Sequence, residues 1–341
     1  MTVQSSSIAR ALVVGLGSIG QRHLRLLRSA LPDADIRVLR HSHCSEPIEY
    51  ADGCFNQIEA ACSFGPQLAI IASPAPFHLS AATALAGTGA HLLIEKPISD
   101  SVDGVSELMT MCAERGSQLQ VGYNLRFLHT LQEFKRTLHQ NCVGDVYAVR
   151  CEVGQYLPSW RPGADYRGTV SARRDLGGGV LLELSHELDM LRWVFGEIDW
   201  LSAWTGRQGP LEIDVEDCVM IQMGFTSGPV AQLSMDFLRR DTTRVCTAIG
   251  AEGSLRWDAI AGRVAQFAPH SGDWTDLSVD AVARDDSYSA QIDALLAAIE
   301  AGEPDKVAAQ GTDGLAVLQL IEAARSSNRQ SGRRINLGES N

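Results

Sequence analysis

A lysine at the carboxyl end of a buried strand is well placed to move a proton, and Lys96 stands so in His91-Leu-Leu-Ile-Glu95-Lys96-Pro97. In open α/β sheets the carboxyl ends of the strands face the ligand crevice. Oxidising a secondary alcohol needs a base for the hydroxyl proton while hydride leaves, and a partly desolvated lysine near a cationic ring gives up its proton more readily. In the reducing direction the same ammonium polarises the carbonyl and returns the proton. Without that chemistry, Lys96 reads as a surface cation paired with Glu95. Pro97 stiffens the backbone just after the lysine, and sequence leaves its isomer open.

A second reactive group is expected from DLGGGVLLELSHELDMLRWVFG, read as one helix over about Gly178 to Phe195. Leu181, Leu184, Leu188, Leu191 and Phe195 form an apolar stripe for the core. Glu183, His186 and Met190 fall on another face by i, i+3 and i+7 spacing. Gly179, one turn earlier, would leave room for a ligand above that face. His186 with Glu183 is therefore a candidate acid–base pair, although a lone helical histidine is more often a satisfied core or surface residue.

Proton carriers need a hydride partner, and ALVVGLGSIGQRHLRLL supplies the place for one. Gly15, Gly17 and Gly20, with Ser18 and Ile19 between them, follow an apolar strand and open an amphipathic helix. The glycines permit a tight turn, close approach to a pyrophosphate, and packing of helix on strand. The helix start then offers free N–H groups and partial positive charge. The bland reading is a tight βα turn and no more. After the second strand, where an acid would hold the ribose 2′-hydroxyl, stand Arg40, His41, Ser42 and His43. An arginine with a hydroxyl suits a 2′-phosphate and favours NADP(H) over NAD(H), unless Arg40 stacks on the adenine of either.

The segment GQYLPSWRPGADYRGTVSARRD, residues 154–175, speaks to the substrate. Its four arginines, Arg161, Arg167, Arg173 and Arg174, against Asp165 and Asp175 leave it locally +2 in a chain of net charge −12. Tyr156, Trp160 and Tyr166 are interleaved. Aromatic faces and guanidinium forks suit a sugar carrying phosphate or carboxylate. A solvated loop or an oligomer arm is an equally open reading.

These groups require elements to hold them. Strands at about Ala11–Val14, Ile36–Leu39, Leu68–Ala72, His91–Ile94 and Gln118–Val121 are nearly all apolar, as when helices cover both faces of a parallel sheet. Helical stretches follow the first, third and fourth. From about Val143 the pattern alternates, at Asp145–Val153, Asp217–Phe225, Val230–Phe237, Arg244–Gly250 and Gly253–Trp257, as in antiparallel strands joined by turns such as Ser227-Gly228. Two helices, about Tyr288–Glu300 and Asp313–Ser326, close the chain. The expected fold is α/β: a doubly wound parallel sheet over residues 1–123, then an α+β domain with an open, mostly antiparallel sheet over 124–341.

With 341 residues, 45% apolar and 21% charged, the chain fits two globular domains. No run is long enough for a membrane span and the start shows no export signal. A net charge of −12 opposes a nucleic-acid or membrane-surface binder. Eight scattered cysteines, none at metal or redox spacing, read as free thiols in a cytoplasmic protein, with no metal site.

Glu95-Lys96-Pro97 after the fourth strand, the glycine motif after the first, VGYNLRF (121–127) after the fifth, Ser73-Pro74 with His78, and the closing LIEAARSSNRQSGRRI together resemble the Gfo/Idh/MocA oxidoreductase family. The resemblance runs over nearly the whole chain. It implies reversible hydride transfer at a sugar or cyclitol hydroxyl, with Lys96 near the reacting oxygen and Pro97 and Asn124 shaping the site. By the same implication Ser73, Pro74, His78 and Glu95 lie at the cofactor, Arg126 at the substrate, and the protein forms dimers or tetramers. The family's Asp-x-x-x-His pair is replaced here by Glu183-x-x-His186, one residue shorter; alignment through His186 and Asp189 keeps the histidine and shifts the acid. Competing readings are a dinucleotide-binding regulator without chemistry, and a reductase of a non-sugar carbonyl.

Overall fold

The computed structural model describes residues 8–42, 46–280, 283 and 285–337. From the amino terminus come β1 (Arg10–Val14), α1 (Ser18–Ala30), β2 (Asp35–Leu39), β3 (Gly53–Phe55), α2 (Ile58–Phe64), β4 (Leu68–Ile71), α3 (His78–Ala86), β5 (His91–Ile94), α4 (Val105–Glu114) and β6 (Leu119–Val121). Next are α5 (His129–His139), β7 (Val146–Gly154), α6 (Val180–Glu183) and α7 (His186–Phe195). Strands β8 (Ile198–Gly206), β9 (Cys218–Phe225), β10 (Val230–Asp236), β11 (Thr243–Gly250), β12 (Gly253–Asp258), β13 (Arg263–Ala268) and β14 (Asp273–Val279) follow. The chain closes with α8 (Asp286–Ala301), α9 (Gly311–Arg329) and β15 (Ile335–Asn336). Two compact units result: Met1–Phe127 with Asp285–Leu318, and Leu128–Arg284 with Gln319–Asn341.

The first unit is built on a parallel sheet of order β3-β2-β1-β4-β5-β6. The five expected strands are all present within a residue or so at each end. Their apolar runs bury both faces: Leu12, Val13, Ile70, Ile71, Leu93 and Ile94 are fully inaccessible. On one face Val13, Val38, Ile70 and Leu93 meet Leu24 and Leu27 of α1, and Ile292 and Leu295 of α8. Truncating any such leucine or isoleucine to alanine costs about 2–5 kcal/mol. The edge strand β6 is closed by the segment before α9, through the amide of Val121 donating to the Ala309 carbonyl. β3 and α2, absent from the sequence expectation, are too short for a period to register.

The second unit carries a sheet of order β14-β13-β12-β11-β7-β10-β9-β8-β15, antiparallel except where β10 runs parallel to β7. The Ser227-Gly228 turn joins β9 to β10 with Gly228 at φ 111°. One face buries Val149, Cys151, Ile221, Met223, Leu233, Cys246 and Trp257. The opposite face bears the register row Trp204, Met220, Ser234, Glu152, Val245 and Asp258.

The single helix expected from Gly178 to Phe195 is two helices, broken at Leu184-Ser185, where Leu184 adopts φ −103°, ψ 25°. Serine competes for backbone bonds and weakens a helix interior. The leucine stripe survives the break, because Leu181, Leu184, Leu188 and Leu191 all remain buried. The thiols of Cys62, Cys112, Cys142, Cys151, Cys218 and Cys246 are free, while Cys54 is disulfide-bonded, against the expectation of free thiols throughout. His43 and Cys44 lie outside the described residues. No described helix is long and apolar enough to cross a membrane.

Candidate active site

The three glycines of the first βα turn each meet a different constraint. Gly15 has φ 89°, and a Cβ there would lie 2.8 Å from the Ala72 carbonyl oxygen and the Ser73 nitrogen. A Cβ on Gly20 would come to 2.1 Å from the Gly15 carbonyl oxygen. Gly17, the cap residue of α1, has nothing within 4 Å of that position, so the space above it is open. Ser18 is exposed, Ile19 half-buried, and no acid stands in the first turn of the helix. An open approach to uncompensated N–H groups at the start of a 13-residue helix fits a pyrophosphate.

At the end of β2, Arg40 is half-buried, and its Nε donates to Ser42 Oγ at 2.6 Å. Its amide donates to the Phe55 carbonyl, so β3 holds it in place. Among the described residues at this strand end, Arg40 and not a carboxylate takes the position expected to bind a ribose hydroxyl.

Two strand ends further on stand the turns after β4 and β5. Ser73 Oγ is buried without a hydrogen-bond partner in the protein. Pro74 and Lys96 are half-buried, and Pro97, in a cis peptide with Lys96, is buried. Glu95 does not face outward. It is 7% exposed, with Oε1 2.6 Å from His23 Nε2 and Oε2 accepting the Lys96 amide at 3.1 Å. Burial pushes the Glu95 carboxyl up, but the bond from His23 and the neighbouring Lys96 ammonium outweigh it and hold it below its ordinary range. His78 is 1% exposed, with Nε2 at 2.6 Å from the Ser73 carbonyl and Nδ1 at 2.9 Å from that of Pro97. Both ring nitrogens are thus engaged inside the protein. His23 was absent from the sequence expectation; its signal was a histidine three residues after Gly20, on the buried stripe of α1.

Asn124 and Arg126, expected at cofactor and substrate, are built into the first unit. Asn124 donates to Ser287 Oγ at 2.8 Å, and Arg126, 4% exposed, pairs with Asp313 at 3.1 Å.

In the second unit Glu183 ends α6 and His186 begins α7, both half-buried. Because the helix breaks between them, i, i+3 spacing does not relate them, and Met190 is 1% exposed. The room expected above Gly179 is filled by Glu216, whose Oε1 would lie 2.6 Å from a Cβ there and accepts the Leu181 amide at 3.0 Å. Nothing local in the sequence announces that contact. A buried acid also went unforeseen: Glu187 is fully inaccessible and takes Arg244 Nε at 2.7 Å.

The arginine-rich segment is less free than its composition suggests. Arg167 forks onto Asp165 and reaches Glu212 at 2.7 Å, Arg173 pairs with Asp175, and Arg174 binds Asp214. The acids of 212–214 supply carboxylates that a count over 154–175 omits. Tyr166 OH accepts the Glu212 amide, and Trp160 packs edge-on to Phe237 while its Nε1–H donates to the Gln155 carbonyl. Arg161 is exposed and has no ion pair among the described residues. No described cluster of histidine, cysteine, aspartate or glutamate could hold a metal ion.

A doubly wound sheet with a glycine cradle at its first helix, and a lysine at the end of the fifth strand, defines a nicotinamide-dinucleotide-binding oxidoreductase. The chain belongs to the Gfo/Idh/MocA family: residues 9–123 match the oxidoreductase family NAD-binding Rossmann fold and residues 131–256 the family's C-terminal domain. It is 26% identical over 232 residues to the uncharacterized oxidoreductase YrbE of Bacillus subtilis, a match spanning 64% of this chain and 64% of that protein. Its fold is similar to levoglucosan dehydrogenase in complex with NADH (TM-score 0.85, 17% identity, 97% of this chain and 99% of that one). It is also similar to the WlbA dehydrogenase of Bordetella pertussis in complex with NADH and UDP-GlcNAcA (TM-score 0.81, 22% identity, 98% and 100%).

Proposed function

We propose that this protein transfers hydride between a nicotinamide dinucleotide and a secondary alcohol or ketone of a sugar derivative. The observation that carries the reading is the open cradle over Gly17 together with the buried, partnerless Ser73 hydroxyl and half-buried Lys96 at nearby strand ends. The dinucleotide supplies or takes the hydride. Lys96 takes the alcohol proton on oxidation and returns it on reduction; His186 and Glu183 are the second unit's candidates for acid–base groups. The dehydrogenase names of the structural neighbours support a sugar-type substrate, and the UDP-GlcNAcA of one of them favours an acidic or nucleotide sugar. Trp160, Arg161, Tyr166 and Arg167 would recognise it, with exposed Arg161 the cation most able to meet an anion. The pairing of Arg40 with Ser42 favours NADP(H). The first unit would hold the dinucleotide and the second the substrate, with 124–127 and 285–318 moved from the expected second domain to the first.

The open face of the second sheet, with Trp204 39% and Met220 51% exposed, supports assembly into a homodimer or homotetramer. The six free thiols among the described residues support a cytoplasmic setting, against which the disulfide of Cys54 stands.

The test is purified protein with NADP⁺ or NAD⁺ and a panel of nucleotide sugars, sugar acids and cyclitols, read as nicotinamide absorbance. Lys96→Met is expected to lower kcat by about 10²–10⁴-fold while dinucleotide still binds. Binding without turnover across the panel would favour a non-catalytic regulator. Turnover undiminished in Lys96→Met would refute the role of the lysine.

A further inference from the structure

His78 is the only ionisable side chain of α3, and its surroundings contain a conflict. A backbone carbonyl can only accept a hydrogen bond, yet one faces each ring nitrogen, at 2.6 and 2.9 Å. A neutral imidazole has one N–H, so its second nitrogen would set a lone pair against an oxygen at that distance. Only a doubly protonated ring can donate to both carbonyls, and the 2.6 Å contact is short for a neutral N–H donor.

The groups around the ring divide by sign. Burial, the largest influence, pushes it down toward its neutral form and the Lys96 ammonium works in the same direction; together they hold it below its ordinary value against the Ser73 and Pro97 carbonyls and the Glu95 carboxylate, which favour the charge. The amino end of α3 also disfavours a cation. Glu95 is itself fixed as an anion by His23, so the counter-charge is permanent. Glu59 of α2 and Glu107 of α4 are exposed, and Asp100 and Asp103 on the loop after Pro97 are half-buried and exposed. Burial alone would leave the ring neutral, but a neutral ring could not keep both carbonyls where they stand.

We propose that His78 is held as a buried imidazolium that ties the Ser73–Pro74 turn to the Lys96–Pro97 turn, and so acts as a positioning residue for Lys96. It joins the carboxyl ends of two adjacent strands, β4 and β5, by two charge-assisted bonds from the first residue of a helix. Neither turn can shift against the other without breaking one of them. This replaces the direct cofactor contact expected from its motif, since neither nitrogen is left to give. Its catalytic consequence rests on the reading of Lys96 as the proton carrier; the charge of the ring does not.

Two measurements decide it. Long-range nitrogen-15 NMR of the histidine rings, with His78 assigned through its Cβ, is expected to show both ring nitrogens protonated at pH 7. A single neutral tautomer at that pH overturns the proposal. His78→Gln keeps one amide donor but loses the charge and the second bond. It is expected to leave dinucleotide affinity near wild type and to lower kcat by about 10- to 100-fold with little change in KM. An unchanged kcat overturns the positioning role. If the wild type turns over nothing in the panel, the dehydrogenase reading fails by itself, and the nitrogen spectrum still decides the charged tie. Should the variant not fold, the wild-type spectrum decides alone.

Discussion

Gly17 and Gly20 make opposite demands within one motif. A methyl on Gly20 would collide with the Gly15 carbonyl, whereas one on Gly17 meets nothing in the protein. Gly20→Ala is therefore expected to lower stability by about 1–3 kcal/mol, read as a shift in the urea midpoint. Gly17→Ala should leave that midpoint in place and weaken dinucleotide binding in a fluorescence titration. Equal loss of stability in both variants would contradict this division of roles. Glu95 makes a different kind of prediction. A carboxylate held below its unfolded value, about 4.3, adds stability above that value and loses it as pH falls through the folded one. The difference in unfolding free energy between wild type and Glu95→Gln is expected to be full at pH 7 and to close as pH falls below about 5. A gap that stays constant down to about pH 3 would mean that the carboxylate is not held as an anion by His23 and Lys96.

Among the elements, the break between α6 and α7 has the greatest bearing on function. An unbroken helix would have put Glu183 and His186 on one stripe; the break at Leu184-Ser185 orients each separately. Glu216 completes the arrangement by accepting the first free amide of α6 and filling the space beside Gly179. Glu216→Ala is expected to cost about 0.5–2 kcal/mol, the range for loss of a capping side chain, and Glu216→Gln rather less, since its amide oxygen still accepts. Thermal melting of the two variants checks this, and a melting point unchanged in Glu216→Ala would remove the capping role. The arginine-rich segment is likewise decided between elements, because Glu212 and Asp214 arrive from a stretch of chain outside it.

For the whole molecule, the covered and bare faces of the second sheet matter most. One face is packed with Ile221, Leu233, Cys246 and Trp257, while the other exposes Trp204 and Met220 side by side in register. Apolar side chains of this size, set together on an open sheet, are expected to be covered by another copy. Trp204→Glu combined with Met220→Glu should reduce the mass seen by sedimentation from oligomer to monomer while leaving the circular dichroism spectrum intact. A wild-type protein that sediments as a monomer at micromolar concentration would dispose of the idea.

The sequence by itself determined the parallel sheet, the glycine cradle, the place of Lys96 and the alternation of the second sheet. Each is written in periods or motifs shorter than about twenty residues, where local sterics and burial decide the outcome. Only the tertiary structure decided the rest. Residues 285–318 belong with the first unit because the apolar side of α8 meets α1 and the sheet, and a helix's stripe does not name its partner. His23 reaches Glu95 across 72 residues, Arg126 pairs with Asp313, and Glu216 caps α6. In all three a charged or polar group is taken up by a neighbour distant in sequence, since a buried polar atom must find a partner and only folding determines which one is near.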